Sequence, residues 1–128
     1  MKRPLDPTGR RKRAYDLGHR AEWVATAALT AKGFRVLARR YSAPGGEIDL
    51  IARRGDTVIF VEVKARPTLD QAMIAILPTK IARISRAARR WVAENPWAMS
   101  CVLRGDAVFI GRWRWPRHMA QAFELHFD

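Results

Sequence analysis

Two β-rich runs, residues 46–54 and 57–66, are parted only by Gly55 and Asp56, and nothing else in the chain restricts its fold as strongly. A glycine beside an aspartate between such runs signals a hairpin. With the turn centred between them, antiparallel partners are residues whose numbers sum to 111. Ile48, Leu50 and Ala52 then share one face with Val63, Val61 and Ile59, and that face is wholly apolar. It has to be buried, which sets the register, because a slip of one residue would drive acids into the core. On the other face Asp49 stands directly opposite Glu62, and Glu47 opposite Lys64 one step along.

The rest of the chain supplies helices to cover such a hairpin. From Asp16, read as an N-cap, to Gly33, read as a C′ glycine, the apolar positions Leu17, Ala21, Val24, Ala25, Ala28 and Leu29 recur at helical spacing. Projection at about 100° per residue puts Glu22 at the edge of that stripe, beside Ala25 and Leu29. Residues 34–40 read as a strand and 41–45 as a loop. After Pro67 the pattern is ambiguous until Thr79, an N-cap behind Pro78. From there Ile81, Ile84, Ala88, Trp91 and Val92 mark a second amphipathic helix to about Glu94, with Arg83, Arg86, Arg89 and Arg90 on its outer face. Residues 102–110 alternate as a fourth strand, with Arg104, Asp106, Val108 and Ile110 on one side. The expected architecture is α/β, a mixed central sheet flanked by helices in the order α-β-β-β-α-β. One domain is expected over residues 16–128, behind a flexible basic arm at 1–15 that carries Arg10, Arg11, Lys12 and Arg13.

Charge narrows the partner. Lys and Arg number 24 against 12 Asp and Glu, a net charge of +12 that suits a polyanion. No apolar run approaches the eighteen or so residues of a membrane span, and the basic N-terminal segment has no apolar h-region. A single cysteine, Cys101, can form neither an internal disulfide nor a cysteine zinc site, and reads as a small buried apolar residue. A cytoplasmic protein with no membrane partner is expected.

Opposed like charges destabilise a sheet by a few tenths to about 1 kcal/mol, so Asp49 and Glu62 ask for a cation or a proton. Mg²⁺, or Mn²⁺ in its place, takes oxygen ligands and commonly uses one or two carboxylates together with water and phosphate oxygens. Lys64 shares the acids' face. It either orients a water and meets charge on a phosphate, or pairs with Glu47 on a solvated sheet.

The run Gly46-Glu47-Ile48-Asp49-Leu50-Ile51, followed by Phe60-Val61-Glu62-Val63-Lys64-Ala65-Arg66, resembles the signature of the YraN-like family, small bacterial proteins for which endonuclease activity is inferred. In wider terms it is similar to the D-x(n)-E-x-K site of restriction-endonuclease-like nucleases, here Asp49, twelve intervening residues, Glu62, Val63 and Lys64. Archaeal Holliday junction resolvases are similar in this core. The likeness takes in Gly18-His19-Arg20-Ala21-Glu22 with Ala25, Gly33-Phe34-Arg35-Val36-Leu37, Lys80, Arg104 with Asp106, and Ala122-Phe123. It departs from the family pattern at three places: Ala21 for a usual Gly, Tyr41 for a common Asn, and Gly105 inside the usual Arg-Phe-Asp. The resemblance implies a restriction-endonuclease-like core. Asp49 and Glu62 would ligate the metal with the Val63 carbonyl, Lys64 would serve the nucleophilic water, and Glu22 would complete the acidic cluster. Glu47 reads as a partner of Lys64 rather than a ligand.

Nucleic-acid contacts are expected from the basic arm, from Lys80, and from the Arg83, Arg86, Arg89 and Arg90 face. Trp97, Trp113 and Trp115, interleaved with Arg112, Arg114 and Arg117, suit either stacking on unpaired bases or core packing. His19, His118 and His126 show no ligand spacing and read as incidental. These features point to a metal-dependent endonuclease acting on structured or branched DNA. The rival is a non-catalytic nucleic-acid-binding module that keeps the fold. A homodimer follows only by analogy with resolvases, which cut two strands symmetrically.

Overall fold

A computed structural model describes the backbone of residues 7–111 and 115–127, and side chains from His19 onward. The order is α1 (Pro7–Ala31), β1 (Arg35–Ala43), β2 (Gly46–Arg54), β3 (Thr57–Ala65), α2 (Leu69–Ile74), α3 (Pro78–Glu94), a 3₁₀ turn (Pro96–Ser100), β4 (Val102–Ile110) and β5 (Arg117–Phe123). The five strands form one sheet in sequence order. Only β3 and β4 run parallel, joined by the α2–α3 crossover, so the sheet is mixed and flanked by helices as expected. The expected order lacks α2 and β5, whose sequences are too short and irregular to show a period.

Two helix starts move. α1 begins at Pro7 rather than after Asp16. Proline at the first helical position loses no hydrogen bond, and nothing in the basic stretch that follows breaks a helix. The segment read as an arm is therefore helical from residue 7 onward, while residues 1–6 and the side chains of Arg10, Arg11, Lys12 and Arg13 lie outside the description. For the same reason α3 starts at Pro78, with Leu77 as its N-cap in place of Thr79. The end of α1 is as read: Gly33, at φ 92°, is C′. The Phe34 amide reaches the Leu29 carbonyl and the Gly33 amide that of Thr30, both at 3.0 Å, a Schellman closure.

The hairpin register holds. Leu50 faces Val61, Ile51 faces Phe60 and Arg54 faces Thr57 across a two-residue turn. Both sheet faces are buried. Leu50, Ala52, Ile59, Val61 and Val108 pack against Ala25 and Leu29 of α1, while Ile51, Val58 and Phe60 pack against Ile84, Ala88 and Trp91 of α3. Ile48 departs from the alternation, joining the α3 side rather than Leu50. The cause lies next to it, at Asp49, the one residue of β2 that neither neighbouring strand pairs. Facing that gap in β1 is Arg40, held at φ 52°, so strict alternation stops there.

β5 is fastened through a buried carboxylate. Asp106 accepts from Arg104 Nε and Nη2 at 2.8 Å each, lies 2.7 Å from His118 Nε2, and accepts from the Gln121 amide at 3.1 Å. His118, read as incidental, is thus a structural partner of Asp106. Gly105 is explained beside it: a Cβ there would sit 2.6 Å from the Phe123 ring of β5, so no larger residue fits this packing. Tyr41, the second departure, donates to Glu94 of α3 at 2.6 Å. Burial and the neighbouring Glu94 carboxylate push that phenol up to about 12.

Candidate functional site

Where the β2–β3 ladder stops, its hydrogen bonding passes to a side chain. Asp49 Oδ2 accepts the Val63 N–H at 2.8 Å, replacing a strand carbonyl and holding the carboxylate beside Glu62. Glu62 is 1% exposed. Its Oε2 meets Lys64 Nζ at 3.1 Å and Lys80 Nζ at 3.7 Å. Oε1 is buried without a hydrogen-bond partner among the described residues.

Such a group cannot stay ionised cheaply. Burial first, then the adjacent Asp49 carboxylate, push Glu62 up to about 8, and the two lysines only partly oppose this. A carboxyl shifted this far keeps its proton at neutral pH, where the adjacent Asp49 carboxylate favours the neutral form. The acids are therefore neighbours one step beyond the last ladder pair, and each carboxylate bears on the other.

The lysines differ in how far the sequence foretold them. Lys64 lies two residues beyond Glu62 on the same strand face, as expected. It pairs with Glu62, however, and not with Glu47. Glu47 instead stands 3.7 Å from both Lys80 and Arg83 of α3. The 47/64 pairing was counted along a ladder that ends at Leu50 and Val61, and α3 fills the space beyond. Lys80 was expected only as a nucleic-acid contact, yet it bridges Glu47 and Glu62 and belongs to the site.

Its approach depends on Gly46. A Cβ there would lie 1.9 Å from the Arg83 carbonyl oxygen, so a bare backbone lets α3 sit directly on β2. A glycine preceding the acid-bearing run was visible in the sequence. Its helical neighbour was not.

Glu22 is not brought to the pair. It is half-buried at the edge of α1, as projection suggests, and accepts from Arg40 Nε at 2.8 Å. Among the described residues no three His, Cys, Asp or Glu side chains gather closely enough to hold a metal, so the acidic cluster is a pair rather than a triad. Oxygen-only donors, one of them orphaned, still suit a hard divalent cation, which takes one or two carboxylates and keeps water or phosphate oxygens elsewhere.

The α3 arginines are largely engaged within the protein. Arg83 faces Glu47, Arg86 donates to the Gly45 carbonyl at 2.9 Å, Arg89 donates to the His126 carbonyl, and Arg90 pairs with Glu94 at 3.1 Å. Trp115 is 91% exposed and Trp97 partly so, whereas Arg112, Trp113 and Arg114 lie outside the described residues. No helix among the described residues is long and apolar enough to cross a membrane.

A family model described as uncharacterised protein family UPF0102 matches residues 21–110, a span that includes Asp49, Glu62, Lys64 and Lys80. A UPF0102 protein of Methylobacterium nodulans is 56% identical over 126 residues, 98% of each chain. Another, of Methylorubrum extorquens, is 55% identical over 125 residues, again 98% of each. One from Methylocella silvestris is 56% identical over 117 residues, 91% of this chain and 94% of the relative.

Proposed function

We propose that this chain, which belongs to the UPF0102 (YraN) family, is a metal-dependent endonuclease that hydrolyses phosphodiester bonds in structured or branched DNA. One observation carries the reading: a buried Glu62 whose Oε1 has no donor, set against Asp49 at the broken end of a ladder, in a chain of net charge +12. Asp49 and Glu62 would hold Mg²⁺ or Mn²⁺, with the Val63 carbonyl as the backbone ligand the family resemblance adds. Bound there, the ion supplies an acidified water and charge neutralisation at the scissile phosphate.

The chain's own residues do the positioning. Val63 N–H fixes the Asp49 carboxylate, so that one acid is oriented before any ligand arrives. Lys64 Nζ, already at the mouth of the pair, orients a water and meets charge developing on phosphate oxygens. Lys80 holds Glu62 and Glu47 in register from α3. The basic segment of α1 and the α3 arginines add an attractive field for the polyanion.

A non-catalytic nucleic-acid-binding module is the second reading, favoured by the two lysines, which neutralise Glu62 as an ordinary ion-pair network would. One assay separates the two. Purified protein is incubated with duplex, flap, single-stranded and four-way-junction DNA, with Mg²⁺ or Mn²⁺ and with chelator. Metal-dependent cutting that disappears in Asp49→Asn and Glu62→Gln supports the enzyme. Binding without cutting on every substrate selects the module.

A further inference from the structure

The α3 arginines spread their contacts over separate partners, whereas Arg35, Arg53 and Arg54 gather in one place without a carboxylate among the described residues. Arg35 and Arg53 are direct partners across the β1–β2 ladder, and Arg54 follows at the end of β2. Like charges placed directly opposite each other destabilise a sheet. Elsewhere Arg40, Arg83, Arg90 and Arg104 each meet a carboxylate. None of Arg35, Arg53 and Arg54 has a carboxylate within ion-pair distance among the described residues. What they do bond is backbone carbonyl: Arg53 Nε donates to Gly55 at 2.9 Å and Arg54 Nη1 to Lys32 at 3.0 Å. Each contact orients a guanidinium and leaves its charge unmatched, with most of its five donors unused.

These arginines line a cleft of about 610 Å³ with Gly33, Leu37, Gly55 and Trp97. Trp97 is 41% exposed, with the Arg53 guanidinium stacked over its ring 4.6 Å from the centre, as Arg54 is over Phe34 at 4.3 Å, so that a base would add to a guanidinium–indole stack. Edge-on packing against Trp91, centroids 5.7 Å apart, fixes the indole to the core. The cleft is therefore a fixed aromatic surface beside a cluster of uncompensated fork-shaped donors. That combination matches a nucleotide unit, phosphate on the guanidinium groups and an unpaired base on the indole. Arg53 stands four residues along β2 from Asp49, roughly 13 Å at about 3.3 Å per residue, so the cleft is separate from the acidic pair.

We propose that this cleft is a second nucleic-acid site, which takes a single-stranded segment with its phosphate on Arg35, Arg53 and Arg54 and a base on Trp97. The proposal goes beyond the hydrolytic reading and does not require cleavage or metal.

The test is anisotropy of a fluorescein-labelled single-stranded DNA oligonucleotide in EDTA, titrated at several salt concentrations. Arg35→Gln combined with Arg53→Gln is expected to weaken binding at least about tenfold and to lower the log–log salt slope by about 1.4, at about 0.7 per lost single-strand phosphate contact. Its melting temperature should not fall, because an opposed pair of like charges has been relieved. Trp97→Leu should weaken oligonucleotide binding about tenfold, and inorganic polyphosphate binding far less, through the loss of the Arg53 stacking partner alone. The charge-matched pair Arg20→Gln with Arg39→Gln should lose much less. An unchanged affinity and slope in the Arg35/Arg53 variant, or an equal loss in the charge-matched pair, overturns the site. Equal loss of polyphosphate binding in Trp97→Leu overturns the stacking role. Cleavage by Asp49→Asn would sink the hydrolytic reading while leaving this result standing, so the two fail separately.

Discussion

Glu62 and Asp106 are both fully buried carboxylates on adjacent parallel strands, yet the protein treats them in opposite ways. Asp106 receives a bidentate Arg104, the His118 ring and the Gln121 amide, so both of its oxygens are matched. Glu62 receives two lysines on one oxygen, has another carboxylate beside it, and keeps Oε1 without a donor. A buried charge with a full set of donors is a structural joint, and here it ties β5 to β4. A buried carboxylate with an unmet lone pair next to a second one costs folding free energy that only a proton or a cation recovers. The difference lies in donors and not in burial, and it separates a fastening from a candidate site.

Substitution at each carboxylate should break that contrast most sharply. Glu62→Gln and Asp49→Asn keep shape while removing charge, so cleavage should fall by at least about a hundredfold. Their unfolding midpoints in chelator should hold or rise, since a repulsion is gone. Asp106→Asn should do the reverse. Breaking a buried ion-pair network costs on the order of 3 to 5 kcal/mol, so its urea midpoint should drop steeply while cleavage per folded molecule persists. Loss of cleavage in folded Asp106→Asn, with cleavage intact in Glu62→Gln, would invert the assignment.

A smaller effect tests how the lysine side of the site is held. Gly46→Ala puts a methyl group 1.9 Å from the Arg83 carbonyl oxygen, backbone against backbone, so α3 must lift away from β2. A loss of roughly 2 to 4 kcal/mol in denaturant is expected, with weakened cleavage as Lys80 withdraws from Glu62. Gly55→Ala, at the turn of the same hairpin, meets no atom and carries only a φ of 60°, so about 1 kcal/mol is expected there. Equal costs at the two glycines would remove the role given to close helix approach.

The hairpin arithmetic was legible because a two-residue turn and a period of two leave a single free parameter, and the apolar set Leu50, Ala52, Ile59 and Val61 settles it. The nearness of Asp49 to Glu62 followed from that alone, although the pair lies one step past the end of the ladder. What failed to carry was anything beyond the last ladder pair. Ile48 changed sides and Glu47 changed partner because the strand loses its pairing at Asp49, and no local residue preference announces such a break. Lys80 joined the site through a helix-to-strand contact between Gly46 and Arg83, distant in sequence and readable only once packed. Glu22 shows the same limit from the other side: its place at the stripe edge was readable, its Arg40 partner was not. Arg35, Arg53 and Arg54 were passed over because a charged residue reads alike whether or not a carboxylate will later face it.

The contrast should also appear as two slopes of opposite sign in stability against pH. Burial raises the Asp106 carboxyl, but Arg104, His118 and the Gln121 amide outweigh it and hold the group at about 2, below the ordinary 3.8. A depressed carboxylate stabilises the fold above its unfolded value, so about 2 kcal/mol should drain away as pH falls from 3.8 toward 2. Glu62 is raised from 4.5 to about 8, so its contribution is complete below 4.5 and is lost as pH climbs through 8. In EDTA the unfolding free energy should therefore decline across that window, by roughly 3 kcal/mol or less. The decline should vanish in Glu62→Gln and persist in Asp106→Asn. Saturating Mg²⁺ should flatten it as well, since binding displaces the Glu62 proton and strengthens as pH rises. Urea titrations at closely spaced pH values read all of these together. A decline that survives Glu62→Gln would mean that some other group carries it, and the orphaned oxygen would lose its claim to be where the cation goes.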